Sequence, residues 1–231
     1  ENLTAVIKTF ERPKIVRRLV RSIRRFYPDL PVIVVDDSLE PTRIDGVKTI
    51  VMPYDSGVSA GRNAGVREVK TPYLLMLDDD YVFYRKTGLI QAMEIIHAES
   101  DIDILGGARI DLPFYRIVDH GQSVLFPTMR TSVLPVGSTV GGLPVYDKVA
   151  QFFIARTERI RQVMWDEELK RIDHADFFTR AKGRLVTVYF AGLRCLHAQS
   201  RFDENYLSKR LDTGDYSYLR KKYYRDRDSA T

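Results

Sequence analysis

The fold is decided by residues 74–80, whose sequence is LLMLDDD. Four apolar residues run directly into three carboxylates, and Thr71-Pro72 just upstream is a turn signal. The apolar run predicts a short buried strand. In a parallel sheet, ligands bind at the carboxyl ends of strands, and adjacent carboxylates repel one another unless a cation lies among them. Oxygen ligands suit Mg²⁺ or Mn²⁺, so we expect a metal site here, with a solvated acidic loop as the alternative interpretation.

Strand-like and helix-like segments alternate along the rest of the chain. Residues 14–27 carry apolar side chains at helical spacing, whereas residues 32–35 form a short apolar run typical of a buried strand. Prolines and glycines interrupt residues 111–150, which predicts a small antiparallel or irregular insertion. The pattern predicts an α/β fold with a mostly parallel central sheet flanked by helices. Further strands are expected at 4–10, 47–52, 103–107, 151–155, 185–191 and 193–197, and further helices at 88–99, 158–163 and 173–182.

The composition is that of a soluble globular protein, with 44% hydrophobic and 29% charged residues. No apolar run is long enough to span a membrane, and no signal peptide is recognisable. The net charge of +5 predicts acidic partners such as nucleotide phosphates. The single cysteine, Cys195, excludes an intramolecular disulfide and favours a reducing compartment. We therefore expect a cytoplasmic, bacterial-type protein that contacts the inner membrane face only peripherally, with the Golgi lumen as the alternative.

We expect one domain over residues 1–216, followed by a basic tail or linker over residues 217–231. The tail mixes bases with aromatic residues, which favours a surface helix or a link to a following domain over a weak membrane anchor. The sequence begins almost directly with a strand, as expected of a trimmed catalytic domain whose flanking domains lie outside it.

Several ordered stretches, among them VVDDS at 34–38, SAGRNAG at 59–65 and LDDDYVF at 77–83, carry a family resemblance. Together they resemble the GT-A nucleotide-sugar glycosyltransferases of the inverting family-2 type, most closely the β-1,4-N-acetylgalactosaminyltransferase group. The resemblance spans nearly the whole chain and implies a catalytic domain over residues 1–216, with a nucleotide-binding half to about residue 108 and an acceptor-binding half from about residue 109. It implies transfer of a hexose or N-acetylhexosamine, N-acetylgalactosamine being favoured, from a UDP-sugar to a hydroxyl of a glycan or glycolipid, with Mn²⁺ or Mg²⁺ as cofactor. The stretches are VIKTFER at 6–12, IRRFYP at 23–28, VVDDS at 34–38, SAGRNAG at 59–65, LDDDYVF at 77–83, FFIART at 152–157, WDEELK at 165–170 and DHADFF at 173–178.

The resemblance implies a nucleotide-sugar site at the strand ends. Asp36 or Asp37 would accept a hydrogen bond from the uracil N–H, since an ionised carboxylate is an acceptor only. Arg62 would contact the base or the diphosphate, because a guanidinium offers several donors to phosphate and stacks on rings. The implied nucleotide-sugar set is Thr9, Glu11, Arg12, Asp36, Asp37, Arg62, Asp78 and Asp79.

The resemblance also implies a metal site. Asp80 would bind the metal directly, and Asp78 and His197 are the further candidate ligands. The metal would stabilise the charge that develops on the leaving diphosphate. A lone histidine is more often structural, which is the alternative for His197.

The acceptor hydroxyl needs a general base, because a sugar hydroxyl is a poor nucleophile at neutral pH. In many inverting relatives the base is the aspartate of a Glu-Asp pair, and the matching pair here is Asp173-His174, which departs from that pattern. A histidine ordinarily titrates near neutrality, which would suit His174 as a base, and Asp176 lies one helical turn from Asp173 on the same face. We expect the base among these three residues and leave the choice open. Asp173 can also cap the helix that begins there.

Trp165 and Asp166 are the expected acceptor contacts. Trp165 would offer an apolar face to a sugar ring, although a core position is an equal alternative. A catalytically silent nucleotide- or glycan-binding module is the competing function. A nucleotidyltransferase is disfavoured, because the first strand is followed by TFERP rather than a glycine-rich phosphate loop. No nucleic-acid partner is expected, because the bases are scattered and no binding motif is present.

Overall fold

A nine-stranded sheet forms the centre of the protein in a computed structural model that describes residues 2–118, 120–121, 124–199, 204–209 and 214–224. Within these residues the strands are β1 (Leu3–Thr9), β2 (Val32–Asp36), β3 (Lys48–Val51), β4 (Tyr73–Asp78), β5 (Tyr81–Val82), β6 (Ile104–Asp111), β7 (Arg116–Val118), β8 (Thr139–Val140), β9 (Leu143–Pro144), β10 (Phe152–Arg156) and β11 (Thr187–His197). The helices are α1 (Pro13–Phe26), α2 (Val58–Glu68), α3 (Leu89–Ala98), α4 (Thr157–Arg161), α5 (His174–Ala181), α6 (Glu204–Ser208) and α7 (Asp215–Tyr224).

The sheet is mixed, with the order β3-β2-β1-β4-β10-β6-β11-β5 and with β7 paired to β6. Parallel pairs join β3, β2, β1 and β4, and another joins β6 to β11. Strand β10 runs antiparallel between β4 and β6, and β5 and β7 are also antiparallel to their partners. The other six strands of this sheet therefore share one direction, which confirms the predicted α/β fold with a mostly parallel sheet.

The end of the sheet differs from the sequence-based prediction. The two closing strands expected at 185–191 and 193–197 are one strand, β11, whose pairing with β6 shifts between Phe190 and Arg194. Gly192 lies inside this irregularity and interrupts the apolar pattern, which is why the sequence resembles two strands. The predicted insertion contains β7 and the separate β8–β9 hairpin. Among the described residues, the helices are all too short or too polar to cross a membrane.

The chain connection at residues 78–81 requires the sheet to curl. Strand β4 ends at Asp78 and β5 begins at Tyr81, yet β10, β6 and β11 lie between these two strands in the sheet. Four strand spacings would separate them by about 19 Å in a flat sheet, whereas three residue steps span at most about 11 Å. The sheet must therefore bend until the end of β11 approaches the end of β4. This curl brings His197, the last residue of β11, opposite Tyr81 and next to the aspartate triplet.

Two apolar layers cover the two faces of the sheet. Successive strand residues point to opposite faces, so Leu77 of β4 packs in the layer that contains α1 and α3, while Met76 packs in the layer that contains α2, α4 and α5. Each fully buried leucine or methionine contributes roughly 1.5–3 kcal/mol. The second layer positions the functional residues that α2 and α5 carry.

Helix α2 lies close to β1 because it has glycines one turn apart on its inner face. A Cβ atom at Gly61 would lie 2.2 Å from Cδ of Lys8, and one at Gly65 would lie 2.4 Å from Cγ1 of Val6. Larger residues at either position would push the helix away from the sheet. The two glycines therefore set the position of the neighbouring Arg62, which is 4% exposed.

Candidate active site

A cavity of about 280 Å³ lies at the carboxyl ends of β1 and β4. It is lined by side chains from both halves of the chain, including α2, α5 and the end of β11. The sequence-predicted site residues that line it are Thr9, Arg12, Arg62, Asp78, Asp79, Asp80, Asp173, His174 and His197.

Arg62 joins the aspartate triplet to the start of α5. Its Nη2 donates to Oδ1 of Asp78 at 2.6 Å, and its Nη1 donates to Oδ2 of Asp173. Arg62 and Asp173 are both buried, whereas the Asp78 side chain is 36% exposed. Burial opposes the charge on Arg62, but Asp173 and Asp78 outweigh burial and raise the pKa of the guanidinium. The arginine is therefore a permanent buried cation held between two carboxylates.

Asp79 is held at the base of the cavity by the end of β1. Its Oδ2 accepts from Oγ1 of Thr9 and its Oδ1 accepts from Nη1 of Arg12, both at 2.7 Å. Burial raises the pKa of the Asp79 carboxyl, although Arg12 opposes the shift. Arg12 also reaches Oδ2 of Asp80 at 3.3 Å. One arginine thus supports two adjacent carboxylates that would otherwise repel each other.

Asp80 and His197 form a second pair in the cavity. The imidazole Nδ1 of His197 lies 2.7 Å from Oδ1 of Asp111, and its Nε2 lies 3.3 Å from Oδ1 of Asp80. Burial alone would raise the pKa of the Asp80 carboxyl, but His197 and Arg12 outweigh it and lower that pKa. Burial opposes protonation of His197, but Asp80 and Asp111 outweigh it and raise the imidazole pKa.

The Asp80–His197 pair fits a divalent cation. Oδ1 of Asp80 is buried, and within the described part of the chain no donor reaches it with normal hydrogen-bond geometry. Asp111 holds Nδ1 of His197, which is how a second carboxylate commonly orients a metal-binding histidine and leaves Nε2 available. The predicted ligand Asp78 is directed to Arg62 instead. Among the described residues no group of three acidic, histidine or cysteine side chains converges on one metal position, so donor phosphates would have to complete the coordination.

Asp173 and His174 line the cavity at the start of α5. Asp173 occupies the N-cap position, but its carboxylate accepts from Arg62 and makes no capping hydrogen bond. Burial raises the pKa of Asp173, and Arg62 opposes the shift. Nε2 of His174 lies 2.7 Å from the Val149 carbonyl, which only accepts, so Nε2 carries the hydrogen and Nδ1 the lone pair. Burial lowers the pKa of His174 well below its ordinary value and keeps the ring neutral.

Asp176, the third candidate base, does not line the cavity. Its side chain is 1% exposed. Oδ2 accepts from Arg180 at 2.7 Å, and Oδ1 accepts from Lys222 at 2.5 Å and from Tyr223 at 2.7 Å. Asp176 therefore anchors α7, a role that the sequence does not reveal because two of its partners lie more than 40 residues away.

Asp36 and Asp37 also lie outside the cavity lining and have partners inside the protein. Asp36 accepts from the backbone N–H groups of Ser38 and Thr42 at 2.9 and 2.7 Å. Asp37 accepts from Nζ of Lys8 and from the Gly57 N–H. Both carboxylates are fully buried, so they stabilise the loop after β2. Their proposed contact with uracil stays a prediction.

Glu11 does not line the cavity either, and it joins three segments near its mouth. Its carboxylate accepts from the Leu39 N–H at 2.8 Å and pairs with Lys209. The Lys209 hydrogen bond lowers the pKa of Glu11. The residue therefore stabilises the loop that leads from β1 into α1.

Trp165 lies in the core rather than on the cavity wall. The indole is 3% exposed and stacks on Phe177 with ring centroids 4.3 Å apart. Asn63 of α2 holds the Trp165 backbone through both its amide atoms, at 2.8 and 2.9 Å. The neighbouring Asp166 accepts from Tyr218 and Lys222 of α7. Neither residue lines the cavity, so sugar contacts by this pair are disfavoured.

The cavity lining also includes residues that the sequence did not lead us to expect, and three of them are Lys8, Gln151 and Tyr206. Lys8 is buried with its Nζ on Asp37, and burial lowers its pKa although Asp37 opposes the shift. Gln151 lines the cavity just before β10, and Tyr206 of α6 stacks on Arg12 at 4.2 Å. Lys8 could have been recognised from the sequence, because a lysine inside the apolar run of β1 is a candidate functional residue. Gln151 is only one polar residue beside an apolar run, and nothing in the sequence places Tyr206 here.

Comparison with known proteins finds a match to the family model described as Glycosyl transferase family 2 over residues 4–139. Human beta-1,4 N-acetylgalactosaminyltransferase 1 is 34% identical over 232 residues, which cover 96% of this chain and 43% of the human protein. Mouse beta-1,4 N-acetylgalactosaminyltransferase 2 is 34% identical over 188 residues, covering 80% of this chain and 37% of the mouse protein. The chain thus spans less than half the length of these curated relatives.

Solved structures with the same fold include TarS from S. aureus. One TarS structure matches with a TM-score of 0.68 at 16% identity and covers 96% of this chain and 39% of TarS. A structure of TarS 1–349 in complex with UDP-GlcNAc matches with a TM-score of 0.69 at 15% identity and covers 96% of this chain and 65% of that one. At these identities the likeness establishes a shared fold.

Proposed function

The chain belongs to glycosyl transferase family 2, and from this premise we propose that it transfers a hexose or N-acetylhexosamine from a UDP-sugar to a hydroxyl of a glycan or glycolipid. The names of the curated relatives favour N-acetylgalactosamine as the sugar and a β linkage in the product. The TarS complex with UDP-GlcNAc supports a uridine diphosphate donor.

The observation that carries the proposal is the Arg62 bridge. One guanidinium contacts Asp78, at the end of β4, and Asp173, at the start of α5. The aspartate triplet is the expected donor-binding element and Asp173 is a candidate base. A donor held at the triplet would therefore have its sugar close to the group that deprotonates the acceptor, as a single displacement requires.

Asp173 is the base in this proposal. It lines the cavity, and burial raises its pKa towards the operating pH, which improves a general base. The acceptor hydroxyl attacks the anomeric carbon, its proton passes to the Asp173 carboxylate, and the bond from that carbon to the diphosphate breaks as UDP leaves. Attack opposite the leaving group inverts the configuration. Neutral His174 would accept a hydrogen bond through Nδ1 and help to orient a substrate hydroxyl.

The donor phosphates would lie near Asp80 and His197. These two residues would hold Mn²⁺ or Mg²⁺, and the ion would supply positive charge to the leaving diphosphate. Asp78 or Asp79 would contact the ribose hydroxyls, and we choose Asp79 because Thr9 and Arg12 hold it at the end of β1. The division of the chain into two halves, the tail boundary and the cytoplasmic location stay predictions.

The test measures UDP release from UDP-N-acetylgalactosamine, UDP-galactose, UDP-N-acetylglucosamine and UDP-glucose with mixed glycan acceptors, with Mn²⁺ or with EDTA. We expect release from one preferred donor, dependent on the metal and on acceptor. UDP binding without release would favour the silent-module alternative. If the protein neither releases UDP from a UDP-sugar nor binds UDP, a nucleotide-sugar function is excluded.

A further inference from the structure

We propose that Gln151 binds neighbouring hydroxyl groups of the donor hexose and thereby contributes to the choice of sugar. The proposal deepens the proposed function and rests on it. Gln151 lines the cavity, is 4% exposed, and belongs to none of the hydrogen-bond networks described above.

The amide of Gln151 has unmet hydrogen-bonding capacity. Its Oε1 and Nε2 atoms are both buried and neither has a partner among the described residues. Buried side-chain amides in folded proteins are normally paired, so an unpaired one that faces a cavity points to a ligand with complementary polar groups. The Ser59 hydroxyl is also buried and unpaired, but it does not line the cavity and gives no such indication.

The strand register places Gln151 beside the donor-binding aspartates. Phe152 of β10 pairs with Leu77 of β4 in antiparallel register, so one step further Gln151 lies opposite Asp78. Directly opposed residues have Cβ atoms about 4.5–5.5 Å apart. Gln151 also shares a sheet face with Phe153, which packs on Phe177 and Phe178 of α5.

This placement favours the donor sugar over the nucleotide. In the proposed reaction the hexose must lie between the triplet, which holds the diphosphate, and Asp173, which deprotonates the acceptor. Gln151 is next to Asp78 on the face that carries α5, so it lies beside the position that the hexose would occupy. The uridine would lie further towards Thr9 and Arg12, at the end of β1.

The chemistry of a primary amide suits a pair of ring hydroxyls. The amide offers one acceptor oxygen and two N–H donors, and each sugar hydroxyl both donates and accepts. Two neighbouring hydroxyls can therefore satisfy Oε1 and Nε2 together. In a trans acetamido group the N–H and the C=O lie in the amide plane and point in opposite directions, so one amide side chain can engage only one of them.

The test is calorimetric binding of UDP and of the four UDP-sugars, in Mn²⁺, to the wild type and to Gln151→Met. Methionine keeps the side-chain length but removes both polar atoms. We expect the affinity for UDP to change by less than about twofold and the affinity for the preferred UDP-sugar to fall by about tenfold or more. The matched control is Gln162→Met, at an exposed glutamine that ends α4 and does not line the cavity, and it should change neither affinity.

The outcomes separate this proposal from the proposed function. If the wild type binds neither UDP nor any UDP-sugar, the proposed function fails and Gln151 fails with it. If the wild type prefers a UDP-sugar to UDP and Gln151→Met keeps that preference, only the Gln151 assignment is overturned. Equal wild-type affinities for UDP and for the UDP-sugars would also overturn the Gln151 assignment, because the sugar would then add no binding free energy through the amide.

A purely structural role for Gln151 gives a different result. It predicts a lower melting temperature for Gln151→Met and a loss of UDP binding in parallel with UDP-sugar binding. Ligand binding predicts an unchanged or higher melting temperature, since two unpaired buried atoms are removed. If the methionine variant does not fold, Gln151→Asn keeps the amide but withdraws it by one methylene, and a selective loss of UDP-sugar affinity is again expected.

Discussion

Arg62 pairs with Asp173 inside the protein although 111 residues separate them in the chain. Both side chains are buried, and the same guanidinium holds Asp78. Arg62 therefore fixes the distance between the end of β4, where we propose that the donor binds, and the candidate base.

Arg62→Lys should reduce kcat/KM by about 100-fold or more. Lysine keeps the charge but loses the planar fork that reaches two carboxylates, and small misplacements of reacting groups have effects of this size. Steady-state UDP release measures the change. The matched control is Arg67→Lys, whose exposed pair with Glu167 contributes little. Wild-type kinetics in Arg62→Lys would contradict a positioning role for the arginine.

Asp173→Asn should lower kcat, whereas Asp176→Asn should lower the melting temperature. Loss of a general base lowers kcat by about 10²- to 10⁴-fold, and we expect this for Asp173→Asn without a matching loss of UDP affinity. Asp176→Asn weakens the contacts with Lys222 and Tyr223, so it should lower the melting temperature and leave kcat close to the wild type. If Asp176→Asn abolished turnover in a fully folded protein, the base would have to be reassigned.

The value of kcat/KM should fall at acid pH, and the apparent pKa of this fall should lie above the ordinary pKa range of an aspartate. Burial raises the pKa of Asp173, with Arg62 opposing, and the base acts only when ionised. Activity is therefore retained above the raised pKa and is lost as pH falls through it. This fall should be absent from the residual activity of Asp173→Asn. A fall that is unchanged in that variant would assign the titration to another group.

His197→Ala and Asp111→Asn should each weaken Mn²⁺ binding. His197 is a proposed ligand and Asp111 orients its ring through the 2.7 Å contact with Nδ1. Changes to such orienting partners typically lower metal affinity by about 10- to 100-fold. Calorimetric titration of Mn²⁺ in the presence of UDP measures the effect, and His97→Ala on the exposed side of α3 is the histidine control. Unchanged Mn²⁺ affinity in both site variants would place the metal elsewhere.

Asp215→Ala should destabilise the protein. The carboxylate of Asp215 is 2% exposed and accepts from the backbone N–H groups of Lys170, Arg171 and Ile172 at 3.2, 2.7 and 2.9 Å. Each buried donor left unpaired costs about 1–3 kcal/mol. Denaturant unfolding measures the loss, with the exposed Asp101→Ala as control. A free energy of unfolding equal to that of the wild type would show that the three Asp215 hydrogen bonds contribute nothing to stability.

The elements of the fold could be predicted because most of them are continuous in sequence. The apolar runs before Asp36 and Asp78 are strands, and the family resemblance correctly implied the GT-A fold that the likeness to TarS supports. The curl of the sheet could also be inferred, but only after the strand order was known. The bulge at Gly192 was not predicted, because a break in pattern looks the same as the end of a strand.

The candidate site was predictable where its residues follow strands or begin helices, as Asp80 and Asp173 do. It was not predictable where long-range partners decide the outcome. The sequence allowed Trp165 to be an aromatic residue that stacks on an acceptor sugar, yet its indole stacks on Phe177 in the core. Asp176 has the spacing of a base, yet Lys222 of α7 occupies it. Gln151 stands out only in the structure, where its side-chain amide has no partner among the residues described.

The most direct test of the proposed reaction is proton NMR of a mixture of the protein, UDP-N-acetylgalactosamine, Mn²⁺ and a glycan acceptor. The spectrum reports UDP release and the anomeric configuration of the product at the same time. We predict a β-linked product that forms only while the metal is present and that is lost in Asp173→Asn. An α-linked product, or transfer that persists in EDTA and in Asp173→Asn, would contradict inversion by Asp173 at a metal-dependent site.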